Sequence, residues 1–222
     1  MSLDDLFCLI VVLLAIVLTW RDLTQVLLTK LKTERTFQHV TFATILIFSV
    51  LWSAEAGVKE SLSIHFLGLT ALTLMYGWRS AFVLSIPIVL LMTLLGSLTL
   101  SAIPQFLVFS ALLPIAISYA IFLLSYHYLP RNIFVFIFVA GFLNGAITGT
   151  LHLLINTGYY LLVTDLDWPT IFDNYLIFTP LLAFPEGLLN GMAITMLTVF
   201  KPELLRVFSD RDYIYNHYHK GD

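Results

Sequence analysis

The segment from Trp52 to Gly77 carries the densest group of chemically reactive side chains in an otherwise apolar sequence. Within eleven positions it places Glu55, Lys59, Glu60 and His65. Charged side chains are costly inside lipid. This segment is therefore either a solvated loop with His65 at its edge, or a polar pocket between helices that His65 faces with Glu55 as a helper.

Two further ionisable residues lie inside apolar runs. His152 falls in the outer half of the run 132–160, and Glu186 directly follows Pro185 in the run 175–200. A lone carboxylate near the bilayer centre costs several kcal/mol unless it is paired or hydrated. One interpretation makes Glu186 a structural partner of Asn144, Asn190 or a serine, and His152 a hydrogen-bonded core histidine.

The other interpretation is that these side chains converge in the outer half of the membrane. Imidazole and carboxylate groups suit divalent first-row metals, and imidazole favours nickel, cobalt, copper or zinc over magnesium. The histidines are thus the candidate metal ligands. The candidate substrate-binding residues are Glu55, His65, His152 and Glu186.

The composition limits the class of protein that can present these residues. Of 222 residues 59% are hydrophobic and 11% are charged, whereas soluble domains carry roughly 25% charge. The single cysteine, Cys8, excludes a disulfide within the chain and a cysteine metal cluster. The sequence therefore predicts a polytopic membrane protein.

Apolar runs of about 20 residues are long enough to cross roughly 30 Å of hydrocarbon as helices. We predict an all-α fold with about seven transmembrane helices, a single helical domain over 1–200 and a cytoplasmic polar tail over 201–222. Because Asp4 and Asp5 make the start acidic, we expect the first run to be a retained span rather than a signal peptide. The seven runs are 3–20, 37–52, 65–78, 81–100, 104–128, 132–160 and 175–200.

The distribution of basic residues orients these spans. Lysine and arginine concentrate in short cytoplasmic loops. With the N-terminus outside and the C-terminus cytoplasmic, ten of the eleven basic residues lie inside, and only Lys59 lies outside. We therefore predict this orientation, in a cytoplasmic (inner) membrane.

Known catalytic signatures are absent from the sequence. It has no phosphate-binding loop, no H-E-x-x-H and no G-x-S-x-G. There is also no basic stripe or recognition fold for nucleic acid. We therefore expect neither an enzyme nor a nucleic-acid partner, and any ATP hydrolysis has to come from other subunits.

The region 48–83 resembles the CbiM/NikM family, the cobalt and nickel substrate-binding membrane subunits of energy-coupling-factor transporters. The likeness rests on a serine-rich approach to a histidine followed by two spaced glycines. The closing segment is also similar, with a proline, a Glu-Gly pair and a Pro-Glu-Leu-Leu step. The matching residues are Ser61, Ser63, His65, Gly68, Gly77, Pro180, Glu186, Gly187 and 202–205.

This resemblance implies an uptake component without a covalent cofactor, whose substrate is a divalent transition metal held by His65. It also implies two kinds of partner, a transmembrane coupling protein and cytoplasmic ATPases. The chain departs from the family in opening Met1-Ser2-Leu3-Asp4 instead of Met-His, whose groups bind the metal. Asp4 or Asp5 would have to substitute, and Thr179 stands where the family has a histidine.

Two other functions are compatible with the residues alone. The substrate of an uptake component could be organic, such as a corrinoid. Alternatively the chain could be a non-transporting assembly or scaffold protein, in which the polar residues serve helix packing. An intramembrane enzyme is a third and weaker alternative.

Overall fold

The computed structural model describes residues 3–59 and 62–214. Glu60 and Ser61 of the predicted polar segment, and the end of the predicted tail from residue 215, lie outside the described residues, as do Met1 and Ser2. The sequence analysis of those positions therefore stays a prediction.

Six helices in the described part of the chain are long and apolar enough to cross a membrane. They are α1 (Asp4–Thr33), α2 (Arg35–Ser53), α3 (Leu69–Leu94), α4 (Leu100–Tyr128), α5 (Ile133–Val163) and α6 (Trp168–Phe200). A short helix α7 (Asp210–Tyr213) follows. The long helices contain π-helical turns at Leu23–Leu27, Leu107–Leu112 and Phe136–Leu143 and 3₁₀ turns at Leu100–Ala102 and Leu176–Phe178, and Pro202–Leu204 forms another 3₁₀ turn.

Apolar side chains cover the outside of these helices as well as their contacts. Val17 is 71% exposed, Leu162 88% and Phe184 74%. Water would oppose such a surface, whereas acyl chains accept it. Together with the six helices, this confirms the predicted all-α, polytopic membrane protein.

Helix α3 covers most of the third and fourth predicted spans, 65–78 and 81–100. The helix is not straight, because Gly77 within it has φ 75° and ψ 154°, a conformation that favours glycine. A Cβ at this position would also lie 3.1 Å from the Arg206 side chain. The two predicted spans are therefore two helical segments, 69–76 and 78–94, that meet directly at Gly77 without a loop between them.

The contacts of α2 show that the kink reverses the chain direction. Tyr76 contacts Thr44, near the middle of α2. Leu67 before the kink and Ile88 after it contact Trp52 and Ser49, close to the end of α2. The half before Gly77 thus runs antiparallel to α2 and the half after it runs parallel, so the described chain forms seven helical segments of alternating direction.

A hairpin connects α2 to α3, in the segment for which the sequence predicted either a solvated loop or a polar pocket between helices. Strand β1 (Ala56–Lys59) pairs antiparallel with β2 (Leu62–Ile64). The register joins Ala56 to Ile64 and Lys59 to Leu62, with an irregularity between the two pairs. The ladder satisfies main-chain groups that an irregular loop would leave unpaired.

The chain contains two similar segments, GFLNGAIT at 141–148 and GLLNGMAIT at 187–195. The first lies in α5 and the second in α6, and their glycines allow the two helices to pack closely. A Cβ on Gly145 would lie 2.9 Å from the Cβ of Asn190 and from the carbonyl oxygen of Glu186. Glycine therefore lets the two backbones approach closely, as small residues do between membrane helices.

Helix α6 ends at Phe200, at the predicted start of the tail. The residues that follow return to the bundle, where Leu205 and Tyr213 are buried. The ring of Tyr213 packs against Phe136 with centroids 4.8 Å apart. A cytoplasmic location for this segment stays a prediction.

The reversal at Gly77 places the α3–α4 loop and the α1–α2 turn on opposite membrane faces. In a Cys8→Ser background, we expect Thr99→Cys to react with an impermeant maleimide in intact cells. Glu34→Cys should react only after permeabilisation. Both probed residues are exposed. A straight α3 would instead put both cysteines on one face, and equal labelling would contradict the reversal.

Candidate functional site

A polar cavity of about 300 Å³ lies between the hairpin, the start of α4 and the second half of α5, on the side predicted to face outside. It brings together three of the four residues predicted to bind substrate, Glu55, His65 and His152. The other polar residues that line it are Ser63, Ser97, Thr99, Gln105, Ser110, Asn156, Tyr160 and Tyr175.

His65 follows β2 and is 8% exposed. Its ring stacks on Phe106, with centroids 5.4 Å apart and 20° between the planes. Its Nε2 has no hydrogen-bond partner among the described residues. A buried nitrogen without a partner costs about 1–3 kcal/mol, so this atom is available to a ligand.

The ring of His152 meets that of His65 edge to face, with centroids 5.9 Å apart. Its Nδ1 lies 3.2 Å from the carbonyl oxygen of Phe109, in the π-helical turn of α4. Because a carbonyl only accepts, this contact assigns the proton to Nδ1 and leaves a lone pair on Nε2.

Asn156 lies one helical turn after His152 and forms part of the same network. Its Nδ2 is 3.1 Å from each ring nitrogen of His152 and from the carbonyl oxygen of that residue. With the proton of His152 on Nδ1, the Nδ2 group of Asn156 donates to the lone pair of Nε2. Asn156 therefore restrains the ring of His152 from within the same helix.

Glu55 is exposed at the mouth of the cavity. It is the only carboxylate that lines the cavity among the described residues. Asp4 and Asp5, which the resemblance offered as replacement ligands, begin α1 and do not line it. Thr179, in the position of the family's histidine, donates its hydroxyl hydrogen bond to the carbonyl of Leu176 at 2.6 Å.

Glu186 does not line the cavity, and its carboxylate binds the backbone just after His65. It accepts hydrogen bonds from the main-chain N–H groups of Leu67 and Gly68, the latter at 3.2 Å. Asn190 donates a third, from Nδ2 at 2.8 Å. Charge-assisted bonds contribute about 1.5–3 kcal/mol each, which offsets the several kcal/mol that a buried carboxylate costs.

These bonds fix the chain segment between His65 and α3. Asn190 Oδ1 accepts from Ala71 N at 2.8 Å, and Trp52 Nε1 donates to the Leu67 carbonyl at 2.8 Å. Both main-chain groups of Leu67 are thus bound by side chains of α2 and α6. Gly68 lies between Leu67 and the start of α3 and has φ 62°. A Cβ at this position would come within 3.3 Å of the side chains of Phe48 and Leu51.

His65 also borders a second cavity, of about 420 Å³, on the side facing α6. Its lining is mostly apolar and includes Phe66, Phe178 and Leu182. Among the described residues, His65 and Asn174 are the only side chains in that lining that could contact a metal ion. The polar cavity is therefore the better candidate for an ion.

The described residues contain no group of three or more His, Cys, Asp or Glu side chains that could hold a metal. The two imidazoles are the strongest donors that the cavity brings together. An ion there would complete its coordination with water or with neutral oxygens such as those of Asn156 and Gln105. The role of the four predicted residues in substrate binding stays a prediction.

Sequence reasoning missed most of the neutral residues around the two histidines. Asn156 had a usable signal, since it shares a helix face with His152 at a spacing of four. Tyr175 and Gln105 come from helix ends and carried no such signal. The contact between Glu186 and main-chain N–H groups could not be read from residue types.

The sequence matches a protein-family model described as cobalt uptake substrate-specific transmembrane region, over residues 2–204. The match covers most of the chain. The chain belongs to this family. No curated protein and no solved structure matches it.

Family membership confirms the resemblance that the two sequence segments indicated. The chain is a multi-pass membrane protein of the cobalt uptake type, in the role of a substrate-specific transmembrane component. This is a family of transport components rather than of enzymes. A scaffold role and an organic substrate are not favoured by it.

The bonds to Glu186 predict a stability effect. Glu186→Gln loses at least one charge-assisted bond, about 1.5–3 kcal/mol, which corresponds to a fall in melting temperature of roughly 3–12 °C for a domain of this size. Thermal unfolding in detergent measures it. Glu203→Gln is the matched control, because Glu203 pairs with Lys201 at the surface. An equal, small shift in both variants would exclude a structural role for Glu186.

Proposed function

We propose that this chain is the substrate-binding membrane component of an energy-coupling-factor uptake transporter for a divalent transition metal of the cobalt and nickel class. The observation that carries the proposal is the unpartnered Nε2 of His65 beside a second imidazole in a polar cavity. The metal is the substrate, so the site has to bind it and later release it.

The chemistry of the two rings supports late first-row metals. Neutral imidazole is a good ligand for cobalt, nickel, copper and zinc. The carbonyl of Phe109 holds the His152 proton on Nδ1, as second-shell carbonyls do for metal-binding histidines. His65 and His152 are thus the proposed metal ligands, with Glu55 attracting cations at the mouth.

Glu186 has an indirect part in this proposal. Its carboxylate holds Leu67 and Gly68, and through them the position of His65. We assign it to the positioning of the site rather than to contact with the metal.

The proposed ligands predict a loss of metal affinity on substitution. His65→Ala should weaken Co²⁺ or Ni²⁺ binding at least about tenfold, roughly 1.4 kcal/mol, and His152→Ala should do the same. Calorimetric titration of Co²⁺, Ni²⁺, Cu²⁺ and Zn²⁺ into the purified protein measures this.

A matched control is available in the same helix that carries Phe109. His127 is exposed in the last turn of α4, at the end far from the cavity, so His127→Ala should bind as wild type does. Wild-type protein that binds none of the four ions would refute metal binding. Equal affinity in His65→Ala and wild type would move the site elsewhere.

We propose that transport requires a transmembrane coupling protein and cytoplasmic ATPases. The chain has no phosphate-binding loop, so it needs an external source of energy. The inner end of the bundle offers a surface for such partners. There, a cavity of about 500 Å³ is lined by Trp78, Arg79 and Tyr126, and Arg79 is exposed with its guanidinium over the Trp78 ring.

This surface predicts a charge-sensitive interaction. Arg79→Glu should reduce co-purification of the membrane partner and the ATPases by several-fold, because a reversed charge opposes an acidic contact. Arg35→Glu, an exposed arginine outside the cavity, is the control. Full substrate uptake by the chain alone, in a host without such ATPases, would contradict the need for partners.

A further inference from the structure

The short half of α3 before Gly77 is bound at its inner end by the segment that follows α6. The last carbonyls of a helical segment lack partners within it. Here Arg206 N donates to the Met75 carbonyl at 3.0 Å, and Val207 N to that of Leu74 at 3.4 Å. Arg206 Nη1 donates to the carbonyl of Tyr76 at 3.0 Å.

Arg206 is itself fixed by a two-pronged ion pair. Its Nη1 and Nη2 each lie 2.8 Å from one carboxylate oxygen of Asp22. Ser80 donates to the same carboxylate and lies 3.2 Å from Nη1. These hydrogen bonds raise the pKa of the Arg206 guanidinium above its usual value. Paired charge-assisted bonds of this kind add geometric rigidity.

The half-helix is consequently held at both ends by distant parts of the chain. Glu186 and Asn190 bind its outer end, and Arg206 binds its inner end. It spans the eight residues 69–76, about 12 Å. Gly68 and Gly77 flank it, both with positive φ, so regular helical geometry is interrupted on both sides of this segment.

We propose that Arg206 is a positioning residue of the metal cavity. By holding the inner end of the half-helix, it sets the depth at which His65 stands opposite His152. Three residues separate His65 from that helix, and Leu67 among them is bound through both of its main-chain groups. The proposal rests on the proposed function, because it takes the cavity to be the metal site.

Arg206→Gln alone would leave Asp22 as an unpaired buried charge, which is strongly destabilising. The informative variant is therefore Asp22→Asn with Arg206→Gln, which removes both charges. Arg206→Lys keeps the charge but loses the planar fork. Lys201→Gln is the matched control, since Lys201 forms an exposed pair with Glu203 in the same segment.

The first measurement is Co²⁺ binding. We expect the double variant to release Co²⁺ about tenfold faster and to change the visible absorption spectrum of the bound ion. Arg206→Lys should be intermediate, and Lys201→Gln unchanged. A purely structural role would lower the melting temperature with an unaltered spectrum and dissociation rate, which would overturn the proposal.

The second measurement needs no metal. Hydrogen exchange of the amides of 67–71 in the metal-free protein should be at least about tenfold faster in the double variant than in Lys201→Gln. If wild type binds no Co²⁺, the proposed function fails, and this exchange alone decides whether Arg206 controls the outer end. If the double variant does not fold, Arg206→Lys decides, and wild-type exchange in it would overturn the proposal.

Discussion

The capture of the Leu67 and Gly68 N–H groups by the Glu186 carboxylate is the interaction on which the arrangement of the cavity depends. A chain that stops being helical inside the membrane exposes main-chain groups that lipid cannot satisfy. A carboxylate in the same place is equally costly alone. The hydrogen bonds between the carboxylate and the two N–H groups offset the desolvation of both. The non-helical segment and the buried charge are therefore stable only as a pair.

The same requirement explains the residues around this pair. Trp52 donates a hydrogen bond to the carbonyl of Leu67. Asn190 accepts one from the N–H of Ala71 and donates another to the carboxylate of Glu186. Glycine at 145 then lets α5 approach α6 at the level of Asn190. Five buried side-chain polar atoms of the described residues have no partner, and Nε2 of His65 is the one among them that belongs to a residue lining the polar cavity. It is therefore the unpartnered atom that a ligand in the cavity can reach.

The sequence was informative where free energy depends on residue type. Apolar length predicted the spans, the cost of a buried carboxylate singled out Glu186, and Asn190 was among its predicted partners. The sequence could not predict that the carboxylate of Glu186 would bind the main-chain N–H of Leu67, because almost every residue carries such a group. Two separate apolar runs, 65–78 and 81–100, predicted the change of direction near Gly77, but the absence of a loop between the two helical segments depends on the backbone angles of that one glycine. The hairpin was missed because its apolar alternation is only a few residues long.

The donor set of the cavity suits a transported ion better than a resident one. Structural metal sites close around the ion with four protein ligands, whereas the described residues bring two imidazoles together here and leave the rest of the shell to water and neutral oxygens. A transport site has to bind well enough to select and weakly enough to release. The two proposed ligands lie on separate segments, His65 just after β2 and His152 in α5, so a small displacement of His65 would be enough to separate them. His65 is three residues from a half-helix whose other end contacts Arg206, and in our proposal this connects the inner end of the bundle to that displacement.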